Sequence, residues 1–268
     1  MSNQENKLLV CDLDGTLLDA KGTIDQESLD SIKEFCKDGG HFVICTGRMD
    51  ADILFVEEKL GFKSDFRISQ NGAVIKNGQN EIISLCPINK DYIATLNRIV
   101  FSKGLRTEVS NPTNRLFPSP RNPEDVAEFV DTSRVVSNLE QVVLEEKEPI
   151  LYLTFGTSKD FEEIRQEIEA SLGKGTVNIV MTSPSSLEVF SNEASKGIAL
   201  KHIQELLAID EKDTYVAGDA QSDVSMFTYS KHAFAVQEAD PTIRQQADLY
   251  AKTVGDVVNY IYEQEDKL

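Results

Sequence analysis

Asp12 and Asp14 flank a single leucine directly after the apolar run Leu8-Leu9-Val10-Cys11, and Gly15-Thr16 follow. The run reads as a buried strand over residues 7–11, so both carboxylates emerge at a strand end rather than from a solvated face. Gly15 lets the backbone turn sharply behind them. Two acids placed in this way can do different work. Asp12 can attack phosphorus and form an aspartyl phosphate, which splits one hard displacement into two easier ones. Asp14 can protonate the leaving oxygen and later deprotonate the attacking water.

Carboxylates repel a phosphate dianion, so this chemistry needs cations and donors from elsewhere in the chain. Three more polar clusters follow at the ends of expected strands or helices: Thr46-Gly47-Arg48, Lys196-Gly197, and Gly218-Asp219 with Asp223. Asp12, Asp219 and a backbone carbonyl near Asp14 form the all-oxygen set that suits Mg2+. Lys196 would neutralise Asp12 and the transferring phosphoryl group together. The hydroxyl and N–H groups of Thr46 and Gly47, near a helix start, would hold the remaining phosphate oxygens. Each cluster alone is an ordinary turn or helix start, and their joint occurrence in this order is what points to phosphoryl transfer.

The elements that must position these residues alternate. After the first strand, Asp25 can cap a helix whose Leu29, Ile32, Phe35 and Cys36 share a face, closed by Gly39-Gly40. Residues 41–45 read as a strand, 50–60 as a helix and 66–69 as a strand. Asn77-Gly78 then marks a hairpin between 73–76 and 81–85. Strand and helix at this pace predict a parallel sheet with helices on both faces, whose strand ends converge on one crevice. The texture changes near Cys86, where a helix, a loop over 111–123 rich in Pro and Asn, and further strands and helices predict an inserted α/β domain. It returns with a strand at 187–190. The expected division is 1–84 with 187–268 for the Rossmann-like core, and 85–186 for the insert.

Bulk composition fits a packed α/β protein. Of 268 residues, 40% are hydrophobic and 27% charged, enough for a core without disulfides. The four cysteines lack Cys/His ligand spacing and read as reduced. A net charge of -18 argues against nucleic acid and anionic membranes as partners, so an anionic substrate must be drawn in by a local cluster of cations or a metal. No segment has the length of a membrane span, and the cytoplasm is the expected location. The chain is expected to be a monomer or homodimer.

In order and type these residues resemble the four motifs of the haloacid dehalogenase superfamily: Asp12-Leu13-Asp14-Gly15-Thr16, Thr46, Lys196, then Gly218-Asp219 with Asp223. The insert between the second and third motifs, with Thr46-Gly47-Arg48 and Asn71-Gly72-Ala73, is similar to the Cof-like branch. The resemblance implies a Mg2+-dependent phosphatase of sugar phosphates or cofactor-like phosphomonoesters, with Asp12 as nucleophile, Asp14 as acid/base, Thr46 and Lys196 as phosphate binders and Asp219 as a metal ligand. It gives Asp223 a supporting role beside the metal or Lys196, sets Arg48 and Asn71 against substrate, and offers Asn192 for the same wall. The inserted cap would choose the substrate, although Arg106, Arg115 and Arg121 within it read as solvated. One residue departs from the pattern: Ser222 stands where Cof-like proteins usually carry Asn, so a phosphate or lysine contact is expected to be lost or water-mediated, lowering or altering activity. Alternatives that use the same residues are a phosphomutase and a low-activity family member serving as a metabolite-binding protein.

Overall fold

The computed structural model describes residues 4, 6–121, 128–145, 148–237 and 239–265. The chain runs through β1 (Leu8–Cys11), α1 (Gln26–Lys37), β2 (His41–Cys45), α2 (Asp50–Leu60), β3 (Phe66–Ser69), β4 (Val74–Asn77) and β5 (Ile82–Leu85). It continues through α3 (Lys90–Ser102), β6 (Thr107–Ser110), β7 (Arg115–Phe117), β8 (Ser133–Val135), α4 (Leu139–Glu145), β9 (Leu151–Phe155), α5 (Ser158–Leu172), β10 (Val177–Ser183) and β11 (Ser186–Ser191). The last stretch holds α6 (Lys196–Leu207), β12 (Thr214–Gly218), α7 (Val224–Phe227), β13 (His232–Val236), α8 (Pro241–Arg244), β14 (Leu249–Ala251) and α9 (Val254–Glu265). Two compact units result, Met1–Ser84 with Ser195–Leu268, and Leu85–Ala194.

The first unit is built on an eight-stranded sheet in the order β14-β13-β12-β1-β2-β3-β4-β5. From β14 to β3 the neighbours are parallel, and β4 turns back antiparallel on β3. All four residues of β1 are buried, as expected of a central strand covered on both faces. Leu8 and Val10 join Val43, Val216, Leu200 and Ile203 in one core layer that includes α6. Across the sheet α1 is tied to α9, where Gly255 N–H donates to Ser28 Oγ at 2.9 Å. The chain winds outward from β1 through β2 and β3 on one side, and from β12 through β13 and β14 on the other. The order therefore reverses between β1 and β12, the position where open α/β sheets bind ligands. Asp12 follows β1 and Asp219 follows β12, so the topology alone brings them together.

The second unit holds a six-stranded sheet, β10-β11-β9-β6-β7-β8, whose core joins Leu96, Ile99 and Val100 of α3 to Ile164 and Ile168 of α5. Here the sequence reading needs correction. The strand at 187–190 does not belong to the first unit: it is part of β11, antiparallel to both β9 and β10. Its alternation explains this, because Leu187 and Val189 enter the second core while Glu188 is only partly buried. A strand covered on one face reads that way, whereas β1 is covered on both. The segment read as a loop at 111–123 contains β7, which pairs with β6 and β8, and its residues 122 and 123 lie outside the described residues. Arg115 and Arg121 are not solvated: both guanidiniums bind the Glu128 carboxylate, and Arg121 lies 4.5 Å over the Phe117 ring. Arg106 is exposed, as expected.

Among the described residues no helix is long and apolar enough to cross a membrane. The four cysteines are unbridged.

Candidate active site

Each functional side chain of the first unit is held by an element whose local sequence fixes it. Asp12 continues β1, 5% exposed, with its N–H donating to the Ala217 carbonyl of β12 at 2.9 Å. Lys196 opens α6, whose N-cap Ser195 accepts from Ile198 N–H. The missing Cβ of Gly72 permits that helix start to approach: a Cβ there would lie 2.2 Å from the Ser195 carbonyl oxygen, and φ is +92°. Gly47 and Arg48 precede α2, and two left-handed residues, Gln70 and Asn71, clasp the same loop. Gln70 N–H donates to the Arg48 carbonyl at 2.9 Å and Asn71 N–H to the Thr46 carbonyl at 3.0 Å. Adjacent non-glycine residues at positive φ are costly and persist where surroundings over-determine them, often at functional sites.

A buried ionic network locks α2 to β3 behind this loop. Arg67, 1% exposed, donates to Asp50 at 2.8 Å and to Asn80 at 2.7 Å, and Lys76 bonds the other Asp50 oxygen at 3.0 Å. Removing one partner leaves buried charge behind, so Arg67→Ala is expected to cost about 3 kcal/mol in urea denaturation. A loss below about 1 kcal/mol would show that water replaces the guanidinium without penalty.

At the β1/β12 ends one ammonium joins two acids. Lys196 Nζ donates to Asp12 Oδ1 at 2.6 Å and to Asp223 Oδ1 at 2.7 Å, all three side chains being buried. The second Asp223 oxygen accepts the N–H groups of Asp219 and Ala220 at 3.0 and 2.9 Å. Asp223 thus orients Lys196 and the loop bearing Asp219 with one carboxylate. Asp219 accepts from the Thr16 hydroxyl at 2.6 Å, a contact whose only sequence signal was the position of Thr16 in the first motif. Carboxylate oxygens of Asp12, Asp219 and Asp223 lie within 4.8 Å of one another.

Charge in this group is finely balanced. Burial foremost, then Asp223, push the Asp12 carboxyl up to about 7, against the opposing pull of Lys196. Burial also raises Asp219, with Asp223 adding to it. For Lys196 burial disfavours the charge, yet Asp12 and Asp223 outweigh it and hold the ammonium above its ordinary range. Buried acids held above their ordinary range need a further cation to be fully ionised together. Hard oxygen donors of this type suit Mg2+. Space for the arrangement depends on Gly15, since a Cβ there would stand 2.5 Å from Asp219 Oδ2.

The remaining expected residues are placed as follows. Asp14 is half-exposed, and Arg48 grips it with two bonds, Nε to Oδ2 at 2.6 Å and Nη2 to Oδ1 at 2.9 Å. The Thr46 hydroxyl accepts from Arg48 N–H at 3.2 Å, and the Asn71 amide lies against Gly47. Ser222 is exposed; its carbonyl accepts from Ser225 Oγ, which in turn accepts from Gly197 N–H at the start of α6. Lys196 therefore keeps two buried partners with Ser at position 222. Asn192 belongs to the second unit, where its amide donates to the Gly175 carbonyl at 2.8 Å.

Residues 9–261 match the model of the haloacid dehalogenase-like hydrolases. The chain belongs to that family. This haloacid dehalogenase-like hydrolase is 27% identical over 276 residues to the phosphatase YwpJ of Bacillus subtilis, covering 92% of this chain and 95% of that protein. It is 25% identical over 249 residues to the 5-amino-6-(5-phospho-D-ribitylamino)uracil phosphatase YcsE of the same organism, covering 92% and 90%. A solved haloacid dehalogenase-like hydrolase from B. subtilis shares the fold at a TM-score of 0.80 and 23% identity, covering 96% of this chain and 99% of that one. The hydrolase is accordingly an enzyme of the phosphatase type.

Proposed function

We propose that this phosphatase hydrolyses small phosphomonoesters in two displacements at Asp12, with Mg2+ as its cation. The reading rests on one observation: Lys196 bridges Asp12 and Asp223 at the topological switch point, with the Asp219 carboxylate beside them. In the first displacement an Asp12 oxygen bonds to phosphorus while the ester P–O bond breaks. Its electron pair leaves with the alcohol oxygen, which takes a proton from Asp14. In the second, water gives a proton to Asp14 and attacks the same phosphorus, breaking the bond to Asp12 and restoring the carboxylate. Lys196 offsets the charge of Asp12 and of the phosphoryl oxygens, and Thr46 with the Gly47 N–H holds the oxygens that do not react. Asp12, Asp219 and the backbone near Asp14 would hold the divalent ion, whose contribution when bound is to neutralise phosphate charge.

The relative YcsE is named for a substrate that joins a phosphorylated polyol to a heterocycle. Sugar phosphates and cofactor-like phosphomonoesters are the corresponding class for this chain. A phosphate-release screen over sugar phosphates, pyridoxal phosphate, flavin mononucleotide and nucleotides, with Asp12→Asn as control, tests it. Release from none of them, or release that survives in the control, would count against the assignment.

Cation binding should be linked to protons. In metal-free protein the folded Asp12 keeps its proton up to about pH 7, whereas an unfolded aspartate loses it near the ordinary value of 3.8. Between those limits the folded state binds more protons, so the Asp12 contribution to stability falls as pH rises through that window. A bound cation favours the ionised form and offsets this loss. Saturating Mg2+ is therefore expected to raise Tm over an EDTA control most at about pH 8, with the increment shrinking as pH falls through about 7 toward 5.5. An increment independent of pH, or none, would contradict the assigned ligands.

A further inference from the structure

Three neighbouring parallel strands of the first sheet are each followed by a polar residue at the same end: β1 by Asp12, β12 by Asp219 and β13 by Gln237. The cluster around Lys196 leaves Gln237 out. Its backbone is left-handed, at φ +53°, a region that suits glycine and is costly for a residue with a Cβ. Surrounding bonds impose it. Gln237 N–H donates to the Ala251 carbonyl at 3.2 Å, and the Gln237 carbonyl accepts from Arg244 Nη2 at 2.8 Å and from the Tyr250 hydroxyl at 3.2 Å. Arg244 lies 4.6 Å over the Tyr250 ring, which ties these two donors to each other. Held in this way, the side chain reaches across 221 positions to the first motif, where Nε2 donates to the Thr16 carbonyl at 2.8 Å. Thr16 is 1% exposed, so its carbonyl would be costly to leave without a donor. The hydroxyl of the same residue donates to Asp219 Oδ1 at 2.6 Å.

We propose that Gln237 is a positioning residue for divalent-cation binding: its amide fixes Thr16, and Thr16 fixes the orientation in which the Asp219 carboxylate meets the ion. This rests on the reading of Asp219 as a metal ligand. With one Asp219 oxygen engaged by the hydroxyl, the carboxylate does not rotate freely, so a cation finds this ligand already ordered. The backbone itself does not call for glutamine. Glycine would adopt the same φ at no steric cost and would lose the amide, so what the side chain contributes in return for the strain is the bond to Thr16.

Mg2+ titrated calorimetrically into the full chain supplies the test, because it reads binding without turnover. In Gln237→Gly the Kd for Mg2+ is expected to rise about tenfold, the lower end for groups that orient a metal ligand. The Tm of the same variant in EDTA should stay near that of the parent, since relief of the left-handed backbone offsets the lost bond. A purely structural Gln237 would do the reverse, lowering Tm in EDTA with an unchanged Kd, and that result overturns the proposal. Gln237→Met gives a second reading that does not depend on the first variant. It keeps the backbone strain and the length of the side chain while removing the donor, so its Kd should rise by a similar factor; a Kd equal to the parent's also overturns the proposal. Thr16→Val tests the route. If Gln237 acts through Thr16, the variant carrying both Gln237→Gly and Thr16→Val binds Mg2+ about as weakly as Thr16→Val alone, whereas effects that multiply place the action of Gln237 elsewhere and overturn the proposal. Asp219→Asn keeps the two hypotheses apart. A parental Kd in that variant removes the ligand role of Asp219 and the role of Gln237 with it; a raised Kd there beside an unchanged one in Gln237→Gly removes only the role of Gln237.

Discussion

Asp12→Asn is expected to lower kcat by at least about 10^4-fold on every phosphomonoester the enzyme accepts, because an amide cannot form the acyl phosphate on which both proposed displacements depend. Folding should survive. The amide oxygen can still accept from Lys196, and the variant sheds one of the acids that crowd Asp223 and Asp219. Stability at about pH 8 should therefore stay level or rise, since the parent must hold a buried carboxylate charged there. Loss of activity together with loss of structure would indicate that Asp12 serves as a structural anchor. Steady-state kinetics alongside thermal denaturation separates the two outcomes.

Lys196→Ala should strike both stability and rate. It leaves Asp12 and Asp223 buried without their shared cation, a change expected to cost about 3–5 kcal/mol of folding free energy. Turnover should fall about 10^3-fold as the charge facing the phosphoryl oxygens disappears. The stability deficit has a direction with pH. Protonation of Asp12 relieves the uncompensated charge, so the deficit should grow as pH rises past about 7 and shrink below it. Urea denaturation of parent and variant at two pH values, one on each side of about 7, measures this, and equal deficits at both would mean that the lysine does not alter the protonation of Asp12.

The most readable parts of the sequence were those in which one residue pattern has one structural outcome. A four-residue apolar run ending in acids became a doubly buried central strand, and the returning strand-helix alternation placed Asp219 beside it. Asp12, Lys196, Asp219 and Asp223 converge because the sheet reverses direction between β1 and β12, which the order of elements already implied. The domain boundary was misplaced at 187–190 because a short apolar run does not say which sheet it will join; only the partners of Leu187 and Val189 decide that. Thr16 and Gln70 were missed as positioning groups because their importance lies in a hydrogen bond or a backbone angle made with residues distant in sequence. No composition or periodicity marks such contacts.

The central claim is that a carboxylate oxygen of Asp12 becomes bonded to phosphorus during turnover. Acid quenching of the enzyme in its steady state, followed by peptide mass analysis, tests this directly. The expected result is a phosphoryl adduct on the peptide containing Asp12, cleaved by hydroxylamine as acyl phosphates are and absent from Asp12→Asn. An adduct on another residue, or phosphate release at full rate with no adduct at any quench time, would contradict the account.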